Sequence, residues 1–296
     1  MLTEKERAIR QKLKDDFAHY ANKCLKISTK DGNLSSFVLN KSQLYIHQCI
    51  EEQLKKTGKV RAIIVKSRQI GASTYTEGRF YWKTTHRKGV KAFILTHKSD
   101  STSALYDMVK RYHEHVPLPV RPQTSKSNAK ELVFNRLDSG YKLGTAGSDS
   151  VGRGMTIQYF HGSEVAYWPN EDEIVAGVLQ AVPNSAGSEV ILESTANGQG
   201  GLFHEMAMKA KEGVGDYQLI FVPWFWQEEY KREVPEGFVL SAEEESYKAQ
   251  YNLSNEQIVW RRFKIYEFVG GISQFRREYP ASVEEAFMAD VEGALS

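Results

Sequence analysis

Arg61-Ala-Ile-Ile-Val-Lys66-Ser67-Arg68-Gln69-Ile70-Gly71-Ala72-Ser73-Thr74 is the stretch from which the fold of this chain is read. Its first six residues form an apolar run too short for a helix and bounded by a turn-like segment, which predicts a buried strand. A helix is predicted from about Ser73 to His86. A loop between a buried strand and a helix is the setting of the P-loop, G-x-x-x-x-G-K-[ST]. There backbone amides and the helix N-terminus cradle phosphates, the lysine reaches the β- and γ-phosphates and the hydroxyl binds Mg²⁺. Only Gly71 and Ser73 match that pattern; Lys66 stands at the first glycine and Ala72 at the lysine. What phosphates need is a cation within reach, and Lys66 and Arg68 both offer one from the other end of the loop. Taken alone, the stretch also reads as an ordinary strand-turn-helix with surface cations.

The flanking sequence predicts further alternation. Helices are predicted over 3–26 and 43–56 upstream, with Leu44, His47, Ile50 and Leu54 along one face of the second. Downstream come a strand at 91–96, a helix capped by Ser99, a hairpin of 131–134 with 141–143, and buried strands at 156–160, 189–193 and 217–222. Strands alternating with helices over short connections predict an α/β fold, a mainly parallel central sheet flanked by helices, with ligands at the carboxyl ends of the strands. From about residue 224 the pattern turns helical. Cap signatures begin at Ser241, Ser254 and Ser282, with a stop at Gly270-Gly271. We therefore divide the chain into a core over 1–223 and a small helical linker or lid subdomain over 224–296.

Composition bounds the function classes. Hydrophobic residues at 41% and charged ones at 26% are globular values, which exclude disordered and collagenous chains. No apolar run approaches the roughly 20 residues of a bilayer span, and the N-terminus lacks a signal-peptide core, so a soluble, unexported protein with no membrane partner is expected. Cys24 and Cys49 are too few for a disulfide framework and fit a reducing cytoplasm. The net charge of +2 hides +10 over residues 61–130 and −13 over 131–296. The basic part suits nucleotide phosphates or nucleic acid, with Arg87, Lys88, Lys110 and Arg111 as possible DNA contacts, although a solvated surface offset by the acidic part is equally allowed.

Other candidates follow the strands. Ile157-Gln-Tyr-Phe-His161-Gly-Ser163-Glu164 ends a strand where nucleotide hydrolases usually carry an Asp for the Mg²⁺ shell and a Glu to polarise water. Here Ser163 takes the Asp position and can hold a magnesium-bound water without adding charge. Glu164 is the candidate base, against the reading of a plain strand-end carboxylate. Ser194-Thr195-Ala196-Asn197-Gly198 could sense the γ-phosphate, or simply turn. Arg153 in Gly152-Arg153-Gly154 could stabilise a transferring phosphoryl group, or be a solvated loop cation. Tyr45 and Gln48 could stack on and hydrogen-bond adenine, or belong to an aromatic staple. Trp224 and Trp226 are expected to pack beneath the helical part, and the eight histidines show no metal spacing.

In this order, Gln48, the loop from Lys66 to Thr74, Gly-Arg153-Gly, His-Gly-Ser163-Glu164 and Ser-Thr195-Ala-Asn-Gly198 resemble the ATPase part of the large terminase subunit of tailed bacteriophages. Gln274-Phe-Arg-Arg-Glu-Tyr-Pro280 with Glu285-Ala-Phe287 looks like the segment that ends that region, so the likeness spans residues 45–287. The resemblance implies an ASCE-type, RecA-like P-loop NTPase that hydrolyses ATP with Mg²⁺. It implies a homo-oligomeric ring of five on a portal protein, working with a small terminase subunit in the host cell cytoplasm to drive double-stranded DNA into a procapsid. By that likeness Gln48 contacts adenine, the loop holds the phosphates, and Ser73 reaches Mg²⁺. Glu164 is the base, Arg153 acts on a neighbouring subunit's ATP, and Ser194, Thr195 and Asn197 couple hydrolysis to motion. Ala72 at the lysine slot leaves Lys66 and Arg68 both open. Members of the family usually continue into an RNase H-like nuclease; the chain stops about where it would begin, so these residues are expected not to cut DNA. The alternatives are a superfamily 2-like helicase, which needs a second RecA-like domain, and a non-catalytic DNA-binding assembly module with a decayed nucleotide site.

Overall fold

A computed structural model describes residues 3–128, 130–147 and 156–288. In chain order the elements are α1 Glu4–Asp15, α2 Phe17–Cys24, β1 Lys26–Ser28, β2 Leu34–Ser36, α3 Lys41–Thr57, β3 Val60–Lys66, α4 Ala72–His86, β4 Lys91–Thr96 and α5 Ser99–His115. Then follow β5 Lys126–Asn128, β6 Glu131–Phe134, β7 Ser139–Thr145, β8 Tyr159–Ser163, α6 Glu171–Ala181, β9 Glu189–Ser194, α7 Gly201–Lys211 and β10 Gln218–Val222. Four helices close the described chain: α8 Ala242–Tyr251, α9 Asn255–Glu267, α10 Gly271–Glu278 and α11 Val283–Ala286.

Eight strands form one sheet in the order β10-β3-β9-β8-β4-β7-β6-β5. The six from β10 to β7 are parallel, and the predicted hairpin β6–β7 carries the antiparallel edge, with β7 itself joining β4 in parallel. One sheet face, with Ala62, Ile64, Ile94, Tyr159 and Ile191, packs under α3, α4 and α5. The other, with Ile63, Val65, Phe93, Phe160 and Leu192, packs on α6 and α7. Buried on both faces, these strands read as continuous apolar runs rather than alternating ones. The helical end has its own aromatic core, in which Trp224 stacks on Trp260 at 5.1 Å, so Trp224 is packing as expected. Among the described residues no helix is long and apolar enough to cross a membrane, and no strand follows β10.

Three expectations are corrected. The helix predicted over 3–26 breaks at Asp16, which leaves helical geometry and caps α2 through the His19 amide at 2.8 Å. Lys98, not Ser99, is the N-cap of α5. The strand predicted at 156–160 runs from Tyr159 to Ser163, because its ladder is set by Ala92↔Tyr159 and Tyr159↔Glu189 on either side. That three-residue shift carries polar His161 and Ser163 into the strand interior.

Period two then decides where polar groups meet. On the α4 face of β9, Glu189, Ile191 and Glu193 alternate with Val190 and Leu192 on the other. Arg79 of α4 donates to Glu189 from Nε (2.8 Å) and Nη2 (3.0 Å), and Lys83, one turn on, pairs with the same carboxylate. Burial alone would raise the Glu189 carboxyl; the two cations outweigh it and hold it at about 2. Four cations of the basic segment, Arg61, Lys66, Arg79 and Lys83, are thus buried, and its excess charge is partly internal.

Glu189→Gln leaves Arg79 and Lys83 sharing a neutral partner in the core, and should cost about 3–5 kcal/mol in denaturant unfolding. A depressed carboxylate stabilises the fold above its unfolded value of about 4.5 and loses that contribution as pH falls toward its folded value. The gap between wild type and variant should therefore be constant above about pH 4.5 and narrow toward pH 2. A gap independent of pH would refute this account.

Candidate functional site

The carboxyl ends of β3, β8 and β9 bring the sequence-selected residues together. Lys66 ends β3 on the α4 face, with its side chain 8% exposed. Its ammonium lies 2.7 Å from Glu164 Oε1 and 3.1 Å from Glu193 Oε2. Burial works against that charge, and the two carboxylates outweigh it, holding the lysine above its ordinary value. Glu164 follows β8 in left-handed geometry at φ 54°, uncommon for a glutamate and therefore a strained, fixed position. Its Oε2 accepts from Ser194 Oγ at 3.2 Å and from the Thr195 amide at 3.3 Å, so the β9 terminus orients it. Thr195 Oγ1 meets Tyr167 at 3.2 Å, and Asn197 donates to the Ala166 carbonyl at 3.0 Å, which makes Ser194 to Asn197 a brace for the segment after Glu164.

Glu193 is the residue that sequence reasoning passed over. It is fully buried, and its Oε1 accepts from Ser73 Oγ at 2.6 Å and Ser163 Oγ at 2.9 Å. His161 Nε2 lies 3.3 Å from the same oxygen, while His161 Nδ1 faces Glu77 Oε1 at 2.6 Å. Burial argues against charge on His161; the flanking carboxylates of Glu193 and Glu77 outweigh it and raise it to about 9. Burial raises Glu193 too, but Lys66 and His161 more than reverse this and hold it well below the usual carboxylate range. Tyr141 closes the chain by donating to Glu77. The available signal was an acid inside an otherwise apolar strand, Glu189-Val-Ile-Leu-Glu193, since such residues are rarely fully buried unless paired.

The loop is held from two sides. Asn40 donates to the Ile70 carbonyl at 3.2 Å and Gln43 to the Gly71 carbonyl at 2.9 Å, from the capping box that starts α3. Gln43 is thus a glutamine that holds the loop. Gln48 is exposed, and five residues along a helix turn it about 140° from Gln43. Tyr45 is half-buried against Trp226, edge-on at 5.1 Å. On the side of the C-terminal helices, exposed Arg68 pairs with Glu278 of α10 at 2.9 Å, and Tyr230 donates to the Arg68 carbonyl at 3.0 Å. Ser67 is buried, Gln69 is exposed at φ 57°, Ile70 and Ala72 are buried, and Ser73 and Thr74 are half-buried at the start of α4. A cleft of about 500 Å³ opens beside the loop, lined by Arg68, His97, Glu164, Tyr167, Thr195 and Glu278 among others. Arg153 lies outside the described residues.

Among the described residues no three His, Cys, Asp or Glu side chains form a metal cluster. The oxygen donors at the loop, Ser73, Ser163 and Glu193, nevertheless suit a hard divalent cation, and the Lys66 ammonium stands as a cation against Glu193 and Glu164.

Gly71 has φ 83°, and a Cβ there would fall 2.5 Å from Gln43 Nε2. Gly71→Ala should lower stability by about 1–3 kcal/mol. Gly71→Ala with Gln43→Ala removes the clash together with the two hydrogen bonds of the Gln43 amide, so it should not restore wild-type stability. A denaturation midpoint unchanged by Gly71→Ala would show that the loop geometry is not fixed as described.

No family model matches this sequence, and no curated protein matches it. Solved structures do match in fold. The HK97 bacteriophage large terminase superposes with a TM-score of 0.63 at 12% identity, over 91% of this chain and 55% of that one. The ATPase domain of the Thermus phage P74-26 large terminase gives 0.52 at 16% identity, over 82% and 93%. A large terminase from a thermophilic bacteriophage gives 0.50 at 12% identity, over 75% and 52%. The chain spans about half the length of the first and third of these. Its mostly parallel eight-stranded sheet with a helical C-terminal region matches the fold of these large terminase structures.

Proposed function

We propose that this chain is the ATPase motor domain of a viral terminase large subunit, hydrolysing ATP to drive double-stranded DNA into a procapsid. The observation that carries the reading is the meeting of Lys66, Ser73, Glu164 and the Ser194–Thr195 brace at neighbouring strand ends, beside an open cleft. The fold likeness to large terminases supports the packaging role. A portal protein, a small terminase subunit and a five-membered ring in the host cytoplasm belong to the same proposal.

The chemistry follows from the positions. The triphosphate lies on the loop amides at the start of α4, where the helix end favours negative charge. Ser73 is the hydroxyl to hold Mg²⁺, whose charge, when bound, neutralises the β- and γ-phosphate oxygens. Glu164, fixed by Ser194 and Thr195, takes a proton from a water that attacks the γ-phosphorus, and the bond to the β-phosphate oxygen breaks to give ADP and phosphate. Lys66 leaves Glu164 for the phosphates when nucleotide enters, which frees the carboxylate to act as a base. Arg68, already in the cleft and tied to Glu278, links nucleotide charge to the helical lid.

Glu164→Gln should bind nucleotide with affinity within a few-fold of wild type while phosphate release falls by roughly 10²–10⁴-fold. Lys66→Ala should weaken both binding and turnover. Undiminished phosphate release by Glu164→Gln would remove the carboxylate from the mechanism and the ATPase reading with it.

A further inference from the structure

The strand that should supply an acid to the metal shell, β8, offers Ser163. The geometry points to Glu193 on the adjacent strand β9 as the acid that takes over this task, so that the shell of the divalent cation is assembled from Ser73, Ser163 and Glu193. This inference rests on the nucleotide-binding reading above and extends it to a residue outside the recognised motifs.

Three observations carry it. Glu193 is the acid that accepts from the loop hydroxyl, at 2.6 Å, so Ser73 and a carboxylate are already paired without any acid on β8. Its Oε1 is positioned by Ser73, Ser163 and His161, whereas Oε2, buried, makes no hydrogen bond and faces only the Lys66 ammonium at 3.1 Å. A buried carboxylate oxygen whose one close partner is the Lys66 ammonium keeps acceptor capacity for a second cation. Finally, β8 and β9 are neighbours in parallel register, Ser163↔Glu193, so the side chains at these two positions share one face and one height along the sheet. Moving the acid across that pair changes its strand but hardly its place. The oxygen set of two hydroxyls and a carboxylate, completed by phosphate oxygens and water, suits Mg²⁺, which takes few protein ligands. Lys66 holds the negative pocket closed until metal and nucleotide arrive together.

The test compares the affinity for ADP in Mg²⁺ with that in EDTA, by calorimetry, and follows Mn²⁺ binding in the presence of ADP by electron paramagnetic resonance. In the wild type Mg²⁺ should strengthen ADP binding. In Glu193→Gln that metal-dependent gain should fall by roughly 10–100-fold, the usual loss when a metal-orienting residue is removed, with Mn²⁺ affinity falling in parallel. A residue that only shapes the loop would weaken binding equally in Mg²⁺ and EDTA. Glu193→Gln with Ser163→Asp returns the charge to β8, keeps Lys66 paired, and should recover the gain. An unchanged Mg²⁺ gain in Glu193→Gln, or a folded double variant that binds ADP without one, overturns the assignment. Failure of the wild type to bind ADP under either condition overturns the nucleotide reading itself.

Discussion

Charge buried at the ends of parallel strands has to be neutralised where it sits. An unpaired ion in a protein interior costs several kcal/mol even after relaxation. Lys66, Glu193 and His161 are all essentially inaccessible to solvent, and each finds its counter-charge among the others or on Glu164 and Glu77. The arrangement of the surrounding elements follows from this need. Helix α4 must lie over β9 in the register that presents Ser73 and Glu77, one turn apart, to Glu193 and His161. Further along the same helix, Arg79 and Lys83 meet Glu189 at the other end of the same strand. A polar lane between α4 and β9 therefore runs through an otherwise apolar layer, fixing helix against sheet as van der Waals packing alone would not.

How much of this was legible in the sequence depends on whether the information was local. Strands β3 and β4 and the helix after the loop could be read because apolar runs, breakers and helical spacing are properties of a few neighbouring residues. The start of β8 could not. Its boundary is set by partners on β4 and β9, far away in the chain, and polar His161 and Ser163 look unlike strand interior until Glu77 and Glu193 are beside them. Gln43 escaped for a similar reason. Its capping-box spacing with Asn40 announces a helix start, but nothing in that spacing shows that its amide also reaches the Gly71 carbonyl. The basic excess of residues 61–130 is a weaker guide, since composition cannot separate a cation on the surface from one that neutralises a core carboxylate, as Arg79 does.

The loop itself departs from its motif at two positions, yet its backbone is determined from outside. Carbonyls of Arg68, Ile70 and Gly71 are taken by Tyr230, Asn40 and Gln43. A trans peptide places its C=O and the following N–H on opposite sides of one plane. Turning the Ile70 and Gly71 carbonyls toward α3 turns the amides of Gly71 and Ala72 away from that helix, while the Arg68 carbonyl, held by Tyr230, sets the Gln69 amide separately. Adjacent backbone donors at a helix start are what a concave anion site needs, whatever side chains the loop carries. The usual lysine adds a cation to such a cradle; it does not build it. Under the proposed reading, an alanine at position 72 costs the site a charge, while the loop backbone stays tied to Asn40, Gln43 and Tyr230. The charge can then come from a lysine six residues earlier, at the end of the strand.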